Sequence, residues 1–414
     1  MPTTKSLALL SALAVASLAP PALAQPGQLD PSFGNNGIAV LPISTGLTLK
    51  TIQQPNGDIL VDTEVGFDDT DIIRLLPNGA IDTSFGNQGV VTLSIPGNVF
   101  SETGDMQLQP DGSILVLGVV NVPVRRGPIK HGVVARFLAN GAPDTSFGTN
   151  GMVQLTQMGG SQGDTPSVLL VQTNGQILVA DVFSSDPSVI RLNSNGSMDT
   201  TFGDDGIASV PGGNDGAPQA LALQSDGKIL AIQYESNMAF ETRLLPNGTI
   251  DSNTKPGTAI ASSAAQAQIS SALPLAVQSN DDYITEQTTG PQLQQFDLQR
   301  FALTNSQDKS FKSPVIEFGS GVTNLSQDYA NIVQPNGSIL TVGRFFKSPN
   351  EDFGMARLLS TGALDTGFGS NGVVVTPFPG NNALATAVAL QTDGNIVVAG
   401  TSDGQLAVAR YLGQ

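Results

Sequence analysis

A chain of 414 residues is long enough for two or three ordinary domains, and its composition narrows the choice. The 46 glycines and 26 prolines, with 40% hydrophobic residues, are typical of a turn-rich all-β protein. A formal net charge of −17 disfavours nucleic acid or an anionic membrane as a partner, because those ligands attract basic surfaces. The absence of cysteine excludes disulfides, a thiol nucleophile and a thiolate metal site.

The first 24 residues predict a signal peptide. Lys5 supplies a basic start, residues 6–18 form an apolar stretch, and residues 22–24 give an Ala-Leu-Ala cleavage sequence. The apolar stretch is too short to span about 30 Å of hydrocarbon, so we expect no membrane insertion. We expect export to the periplasm or the extracellular space, with residues 25–414 forming a single domain.

A hairpin turn then recurs seven times along the chain. Asn-Gly or Asp-Gly between apolar runs is the strongest short-range hairpin signal, because both turn residues tolerate positive φ. The turns are Asn56-Gly57, Asp111-Gly112, Asn174-Gly175, Asp226-Gly227, the variant Asn280-Asp281, Asn336-Gly337 and Asp393-Gly394. The run after each turn is apolar almost throughout, which predicts a strand buried on both faces.

Residues 105–153 illustrate the complete repeat unit. Two strands flank Asp111-Gly112, a third strand carries Arg136, and a second turn at Asn140-Gly141 leads through Phe147-Gly148 to a short fourth strand. Units of about 40 to 50 residues with four antiparallel strands are typical of β-propeller blades. A parallel β-helix is the competing repeat fold, but its coils lack two tight hairpin turns each.

An arginine on the third strand of each unit is followed by an aspartate eight residues later. A tight turn places the two side chains opposite each other, where a guanidinium can bind a carboxylate with two hydrogen bonds. The pairs are Arg74/Asp82, Arg136/Asp144, Arg191/Asp199, Arg243/Asp251, Arg300/Asp308, Arg357/Asp365 and, between the two ends of the chain, Arg410/Asp30. Because every arginine has its own carboxylate, we interpret these pairs as structural rather than as a ring that binds an anionic ligand.

The pair between the chain ends predicts closure. The seventh unit stops after its third strand, and residues 29–41 supply the missing part. We therefore expect an all-β, seven-bladed β-propeller of four-stranded antiparallel blades, closed by the N-terminal strand, which completes the last blade.

These motifs resemble the delta-60 repeat of bacterial exported proteins. The shared pattern is Arg-Leu-Leu-Pro-Asn-Gly, then Ile/Leu-Asp-Thr-Ser-Phe-Gly-x-x-Gly, then Gln-Pro-Asp-Gly-x-Ile-Leu-Val. Two units depart from it: the fourth has no Phe-Gly after Asp251, and the fifth has Phe311-Lys312 instead. The resemblance implies a β-propeller and export, and it carries no catalytic residues.

The Phe-Gly-x-x-Gly motif has two interpretations. It superficially resembles a phosphate-binding loop, but such loops precede a helix, and no helix is indicated here. We interpret the aromatic ring as a wedge between blades, followed by glycines at positive φ. The phenylalanines are Phe33, Phe85, Phe147, Phe202 and Phe368.

One basic segment is the candidate partner-binding site. Arg125, Arg126, Lys130 and His131 lie in an insertion between the second and third strands of the second unit. A solvated loop is the simpler interpretation, and a contact site for an acidic partner is the functional one.

The sequence predicts no catalytic residue, cofactor or metal site. His131 is the single histidine, which excludes a multi-histidine site. Oxygen ligands for Ca²⁺ precede the first strands, but their irregular spacing disfavours a symmetric cage. They are Asp105, Asp164, Asp215, Asp328, Asn214, Asn381 and Asn382.

Together these features favour an exported binding or structural module over an enzyme. We expect a monomer whose partner is a protein or a glycan of unknown identity. The alternative is a propeller hydrolase or lactonase-like enzyme with a metal ion at the mouth of its channel. The long segment of residues 255–272 argues against that alternative, because it contains no clustered acid, base or nucleophile.

Overall fold

The computed structural model describes residues 25–46, 48–65, 69–93, 99–122, 129–155, 166–183, 186–211, 218–235, 238–253, 258–262, 276–278, 280–289, 295–302, 306–316, 327–347, 350–380 and 382–414. The predicted signal peptide of residues 1–24 lies outside this described part. Among the described residues, no helix has the length and apolar character needed to cross a membrane.

The described strands form antiparallel sheets, which confirms the predicted all-β class and the four-stranded repeat. Six sheets have four strands and one has three. The first sheet contains β2 (Thr48–Gln53), β3 (Ile59–Val65), β4 (Asp69–Leu75) and β5 (Val90–Thr92), and the second contains β6 (Val99–Leu108), β7 (Ile114–Val122), β8 (Ile129–Phe137) and β9 (Met152–Gln154). The third contains β10 (Val168–Val171), β11 (Ile177–Phe183), β12 (Asp186–Leu192) and β13 (Ile207–Ser209), and the fourth contains β14 (Ala220–Leu223), β15 (Ile229–Glu235), β16 (Met238–Leu244) and β17 (Thr258–Ser262).

The remaining three sheets follow in chain order, except for one strand. The fifth sheet contains β18 (Ala276–Val277), β19 (Tyr283–Thr289) and β20 (Gln295–Phe301), and the sixth contains β21 (Gln327–Val333), β22 (Ile339–Lys347), β23 (Asn350–Leu358) and β24 (Val373–Thr376). The seventh contains β25 (Ala383–Leu390), β26 (Ile396–Ser402), β27 (Gln405–Tyr411) and, at its edge, the N-terminal β1 (Ile38–Ser44).

Tight turns join the first two strands of each sheet, as the sequence predicted. In the first sheet, Gln54 N–H donates to the Asp58 carbonyl at 2.8 Å, and Gly57 has a φ of 93°. In the fifth sheet, Asp281 takes the position of that glycine with a φ of 66°. Aspartate tolerates this left-handed conformation better than most residues, so the turn survives the substitution.

Apolar side chains fill the space between successive sheets. Phe85 and Leu60 of the first repeat pack with Met106 and Val133 of the second sheet, and equivalent clusters follow along the chain. The seventh sheet shares one cluster with the sixth and another with the first. Apolar burial of this kind is the main favourable contribution to folding.

The N-terminal strand pairs with the C-terminal strand. Ile38 lies opposite Ala409 and Leu41 lies opposite Leu406. The backbone N–H of Asp30 donates to the carbonyl of Arg410 at 2.8 Å. Residues from the two ends of the sequence therefore complete one four-stranded sheet.

Candidate functional site

The arginine and aspartate of most repeats form a close ion pair at one end of the sheets. We call this the turn end, because it carries the tight turns between the first and second strands. The Nε to Oδ2 distances are 2.8 Å for Arg74/Asp82, 2.7 Å for Arg136/Asp144, 2.7 Å for Arg191/Asp199, 2.9 Å for Arg300/Asp308, 2.8 Å for Arg357/Asp365 and 2.9 Å for Arg410/Asp30. The second oxygen of each aspartate accepts hydrogen bonds from the residue two positions later, such as Ser84.

The Arg357/Asp365 pair has the same arrangement with fewer donors. Arg357 donates through Nε to Oδ2 of Asp365, and Oδ1 of Asp365 accepts the backbone N–H of Gly367 at 3.0 Å. Gly367 has no hydroxyl to add a second donor, unlike Ser84, and the Asp365 side chain is 20% exposed. Asp365 is therefore a half-buried member of the series, held by fewer donors than Asp82.

The same guanidinium also reaches the next sheet. Nη1 of Arg74 donates to the carbonyl of Ala139 at 2.6 Å. The corresponding acceptors are Ser194 for Arg136, Pro246 for Arg191, Ser360 for Arg300, Gly413 for Arg357 and Pro77 for Arg410. Each of these guanidinium groups also lies 4.3 to 5.1 Å from the centre of a phenylalanine ring of its own repeat. We call this set of contacts the arginine clamp.

The phenylalanine fits between neighbouring repeats. Phe85 is fully buried, and Gly141 of the next repeat lies so close to its ring that a Cβ would collide with it. Gly86 N–H, directly after the ring, donates to the carbonyl of Asn140 at 3.1 Å. These contacts confirm the interpretation of the phenylalanine as a wedge.

The clamp favours the charged form of Asp82 and Asp308. Hydrogen bonds from Ser310 and then from Arg300 lower the pKa of Asp308 to about 2. The hydroxyl of Ser84, followed by its backbone N–H and Arg74, lowers the pKa of Asp82, although burial acts against them. Because their donors serve protein acceptors, the clamp arginines form a frame and leave little capacity for an anionic ligand.

The fourth repeat departs from this pattern. Arg243 Nη2 lies 3.3 Å from Glu241 Oε1, and the hydroxyl of Tyr283 in the fifth sheet donates to Glu241 Oε2 at 2.6 Å. The charge of Arg243 still contributes to lowering the pKa of Asp251, after the hydrogen bond from Asn253 and the charge of Lys228. This repeat has no phenylalanine wedge, and Tyr283 fills part of the same interface, stacked on Phe301 at 5.4 Å.

The opposite end of the sheets differs from repeat to repeat. We call it the hairpin end, because there the second strand turns into the third. The second strand starts with isoleucine in six repeats, whereas its fourth and fifth residues vary in size and polarity. These two residues are Asp62-Thr63, Leu117-Gly118, Ala180-Asp181, Ile232-Gln233, Glu286-Gln287, Val342-Gly343 and Ala399-Gly400.

A polar cluster links three first strands toward this end. Lys50 on β2 places its Nζ 2.7 Å from Oδ1 of Asp105 on β6, and Oδ2 of Asp105 accepts the backbone N–H of Leu169 on β10 at 3.1 Å. Met106 N–H also donates to Asp105 Oδ1 at 2.8 Å. Asp105 is therefore the central acceptor of the cluster.

Asp62 lies beside this ion pair. It is fully buried, and neither of its carboxyl oxygens has a hydrogen-bond partner in the described part of the chain. Burial, followed by the charge of Asp105, raises the pKa of Asp62 to about 8, although Lys50 acts in the opposite direction. We call Lys50, Asp62 and Asp105 the inner-strand cluster, and it is the candidate site with the most perturbed acid.

The predicted basic segment is only partly described. Arg125 and Arg126 lie outside the described residues, whereas Lys130 and His131 belong to β8. The sequence placed His131 in a connecting loop, but β7 and β8 stay paired as far as Val122 and Ile129 because apolar β-branched residues extend the ladder. Burial lowers the pKa of His131.

The calcium candidates do not converge in the described part of the chain. Asp105 uses its oxygens within the inner-strand cluster, and Asn382 N–H donates to Asp403. Asp164, Asp215, Asn214 and Asn381 lie outside the described residues. Among the described residues, no three histidine, aspartate or glutamate side chains are grouped as a metal site requires.

A cavity of about 580 Å³ lies between the first and second sheets. Val91, Phe137 and Met152 contribute apolar walls, and Asn87 contributes an amide. Arg136, the single ionisable residue of its lining, belongs to the arginine clamp. The cavity therefore lacks an acid and base pair for catalysis.

Sequence reasoning missed three features that the structure brings together. Lys50 is the single charge of β2. Asp62, Glu241 and Tyr283 take positions that are apolar in most other repeats. These breaks in the repeat were the available signal. A glutamine also precedes each tight turn by two residues and is buried, as Gln54 is beside Arg74.

Comparison with known proteins supports a repeat family. A profile described as a β-propeller domain of unknown function, DUF5122, matches residues 54–85, 109–147, 172–202 and 334–368. Each matched segment contains the second strand, the clamp arginine and its aspartate. A comparison with curated protein sequences gave no match.

Solved structures of low sequence identity align with most of the chain. The structure of YCF48 bound to D1 peptide has a TM-score of 0.50 at 10% identity, with 94% of this chain and 98% of that chain covered. YCF48 from Cyanidioschyzon merolae has a TM-score of 0.46 at 10% identity, covering 90% and 98%, and a gluconolactonase from Xanthomonas campestris has 0.39 at 13%, covering 95% and 97%. With the repeat match and the four-stranded sheets, the first of these shows that the chain has a β-propeller fold.

Proposed function

We propose that the mature chain is an exported, seven-bladed β-propeller of the delta-60 kind that binds a protein or glycan through its hairpin end. The chain acts as a monomer in the periplasm or the extracellular space, where the frame at the turn end holds the variable residues in place. The predicted signal peptide supports export.

Contacts between successive sheets support a closed ring of seven blades. The clamp of the seventh repeat reaches the first sheet through Arg410 and Pro77, and that of the sixth reaches the seventh through Arg357 and Gly413. The shared apolar clusters follow the same order. Closure of this kind removes the free edges that would otherwise promote aggregation.

The contrast between the turn end and the hairpin end supports the proposed binding function. Six repeats use the same residue types in the arginine clamp, whereas the fourth and fifth residues of the second strands range from Asp62-Thr63 to Ala399-Gly400. A scaffold needs equivalent contacts in each repeat, and recognition needs different groups at different places. These varied residues are themselves buried wherever the structure describes their side chains, so the surface is formed by the segments that follow them, which run from two residues at 403–404 to six at 123–128. The variation therefore favours the hairpin end as the binding surface.

The test is a binding screen with matched variants. Mature protein is screened against a glycan array and against cell-envelope proteins, and each positive interaction is repeated with Arg125, Arg126 and Lys130 changed to glutamate. The control changes Lys309 and Lys312, exposed at the turn end, to glutamate. Binding lost in the first variant and kept in the second supports the proposal, whereas the reverse pattern contradicts it.

The enzyme alternative is tested in parallel. Lactone hydrolysis is measured with and without added Ca²⁺, because a gluconolactonase is among the structurally similar proteins. Turnover that requires Ca²⁺ and is lost in Asp105→Asn would replace the binding function with catalysis.

A further inference from the structure

The inner-strand cluster contains more negative than positive charge. Among the described residues, the charges that shift the pKa of Asp62 are the cation Lys50 and the anions Asp105 and Glu64. The cross-strand neighbours of Asp62 are Lys50 on β2 and Ile72 on β4. The buried residues of β6 and β7 around the first-to-second interface are apolar apart from Asp105, as Met106 and Val116 are. On β8, His131 is the described titratable side chain that lies nearest the hairpin end.

An ionised Asp62 needs a partner. A buried carboxylate with no hydrogen-bond donor is strongly unfavourable, whereas the neutral acid tolerates the site. Lys50 is the nearest source of compensation, because it lies directly opposite Asp62 on the adjacent strand and its side chain is 36% exposed. A partly exposed lysine on a flexible stem can change partners at low cost.

We propose that Asp62 is a proton-controlled switch whose ionisation draws the Lys50 ammonium from Asp105 to Asp62. In the protonated state, Lys50 and Asp105 join β2 to β6, and Asp105 holds the N–H of Leu169 on β10. In the ionised state, Asp105 loses its cation and the link between the first two sheets is broken. The proposal rests on these contacts and not on the identity of a binding partner.

The sign of the pH effect follows from the raised pKa. An unfolded aspartate releases its proton near pH 3.8, whereas folded Asp62 keeps it until about pH 8. The native state therefore binds more protons than the unfolded state between these values. The contribution of Asp62 to stability is fully present below pH 4, is lost as the pH rises toward 8, and stays constant above that.

The first experiment follows the switch in the wild-type protein by nuclear magnetic resonance. The carboxyl carbon of Asp62 and the Nζ of Lys50 are recorded from pH 5 to pH 9.5. The proposal expects one midpoint near pH 8 for both signals. An Asp62 signal that titrates near pH 4, or a Lys50 signal that stays constant while Asp62 titrates, would overturn it.

The second experiment uses hydrogen exchange of the Leu169 amide, which Asp105 accepts. After correction for the intrinsic effect of pH, we expect its exchange to accelerate about tenfold between pH 6 and pH 9 in the wild type. Asp62→Asn should abolish the acceleration, and Lys50→Gln should give pH-independent exchange. Asp181→Asn, which changes another fully buried aspartate, should leave the acceleration unchanged. Acceleration that persists in Asp62→Asn would show that another group controls the link.

Discussion

The two ends of the sheets use polar residues in opposite ways. At the turn end, six arginines each contact an aspartate, a phenylalanine and a carbonyl of the next repeat. At the hairpin end, the second strands of four repeats carry a polar fourth or fifth residue and those of three repeats do not, and one buried acid, Asp62, has no hydrogen-bond partner within the described residues. Repetition therefore marks the contacts that hold the sheets together, and the varied positions are free of that structural role.

The fourth repeat shows how far the frame tolerates change. Arg243 contacts Glu241 and the repeat has no phenylalanine wedge, yet Tyr283 from the next sheet reaches the same glutamate. The buried, hydrogen-bonded side chain of Tyr283 thus replaces part of the phenylalanine wedge. The interface keeps a charge-assisted contact between sheets although its residues differ.

Deleting residues 29–41 removes the contacts between the two ends of the chain. We expect this change to cause the largest loss in the free energy of unfolding. Phe33 and Leu41 are buried between the seventh and first sheets, and truncating one buried phenylalanine alone costs about 3–5 kcal/mol. The free energy of unfolding should fall by more than about 5 kcal/mol, and the exposed edge of β27 should promote aggregation. Urea titration and light scattering measure the two effects.

A peptide supplied in trans is the control for this deletion. A peptide of residues 25–44 should restore part of the lost stability, and the same peptide with Ala39→Asp should not, because Ala39 is buried. An unchanged unfolding midpoint in the deletion variant would contradict the role of β1.

Breaking one arginine clamp should lower the free energy of unfolding by less than this deletion. Arg136→Leu leaves the half-buried Asp144 carboxylate without its cation, and we expect a loss of about 1–3 kcal/mol, less than a fully buried pair would lose. The double variant Arg136→Leu with Asp144→Leu should lose less than the single variant, because no carboxylate is stranded. Urea titration of both variants measures this, and additive losses would show that the pair is not coupled.

Acid should weaken the clamp in a defined window. The pKa of Asp308 is lowered to about 2, so its contribution is present above pH 4 and is lost as the pH falls toward 2. Asp308→Asn should remove this dependence, with an effect of about 1 kcal/mol because the pair is partly exposed. Urea titrations at pH 5 and pH 2.5 test it, and an equal loss in both proteins would contradict it.

Charge reversal in the basic segment should have the smallest effect on stability. The variant with Arg125, Arg126 and Lys130 changed to glutamate should keep its unfolding free energy within about 0.5 kcal/mol, because we interpret the segment from its sequence as solvated. Thermal unfolding beside the Lys309 and Lys312 control measures this. A large drop would show that the segment supports the fold, and it would no longer qualify as a binding surface.

The sequence predicted the frame well because the frame is local. Turn residues, the spacing of Arg136 and Asp144 and the wedge Phe147 all lie within one repeat, where spacing fixes geometry. The inner-strand cluster was not predicted, because Lys50 and Asp105 come from different repeats and meet only when sheets pack. The position of His131 was wrong for a related reason: the length of a hairpin depends on its pairing, not on turn signals alone.

The turn after each clamp aspartate adds a detail that the spacing does not give. The spacing of eight residues brings Asp365 to Arg357, but it does not predict that Oδ1 of Asp365, like Oδ1 of Asp82, accepts the N–H two residues later. That detail depends on the backbone of the turn after Asp365, since aspartate side chains readily accept the N–H two residues later. Spacing therefore predicts which residues meet, and the turn decides which oxygen each donor reaches.

Hydrogen exchange at the junctions between repeats tests the closed frame most directly. Gly86 and Gly148 donate to Asn140 and Asn195 of the next repeat, and Gly34 donates to Asn78 where the seventh sheet meets the first. A closed ring predicts that the Gly34 amide exchanges as slowly as the other two, because all three open only with global unfolding. Exchange of Gly34 that is many times faster than that of Gly86 and Gly148 would contradict closure.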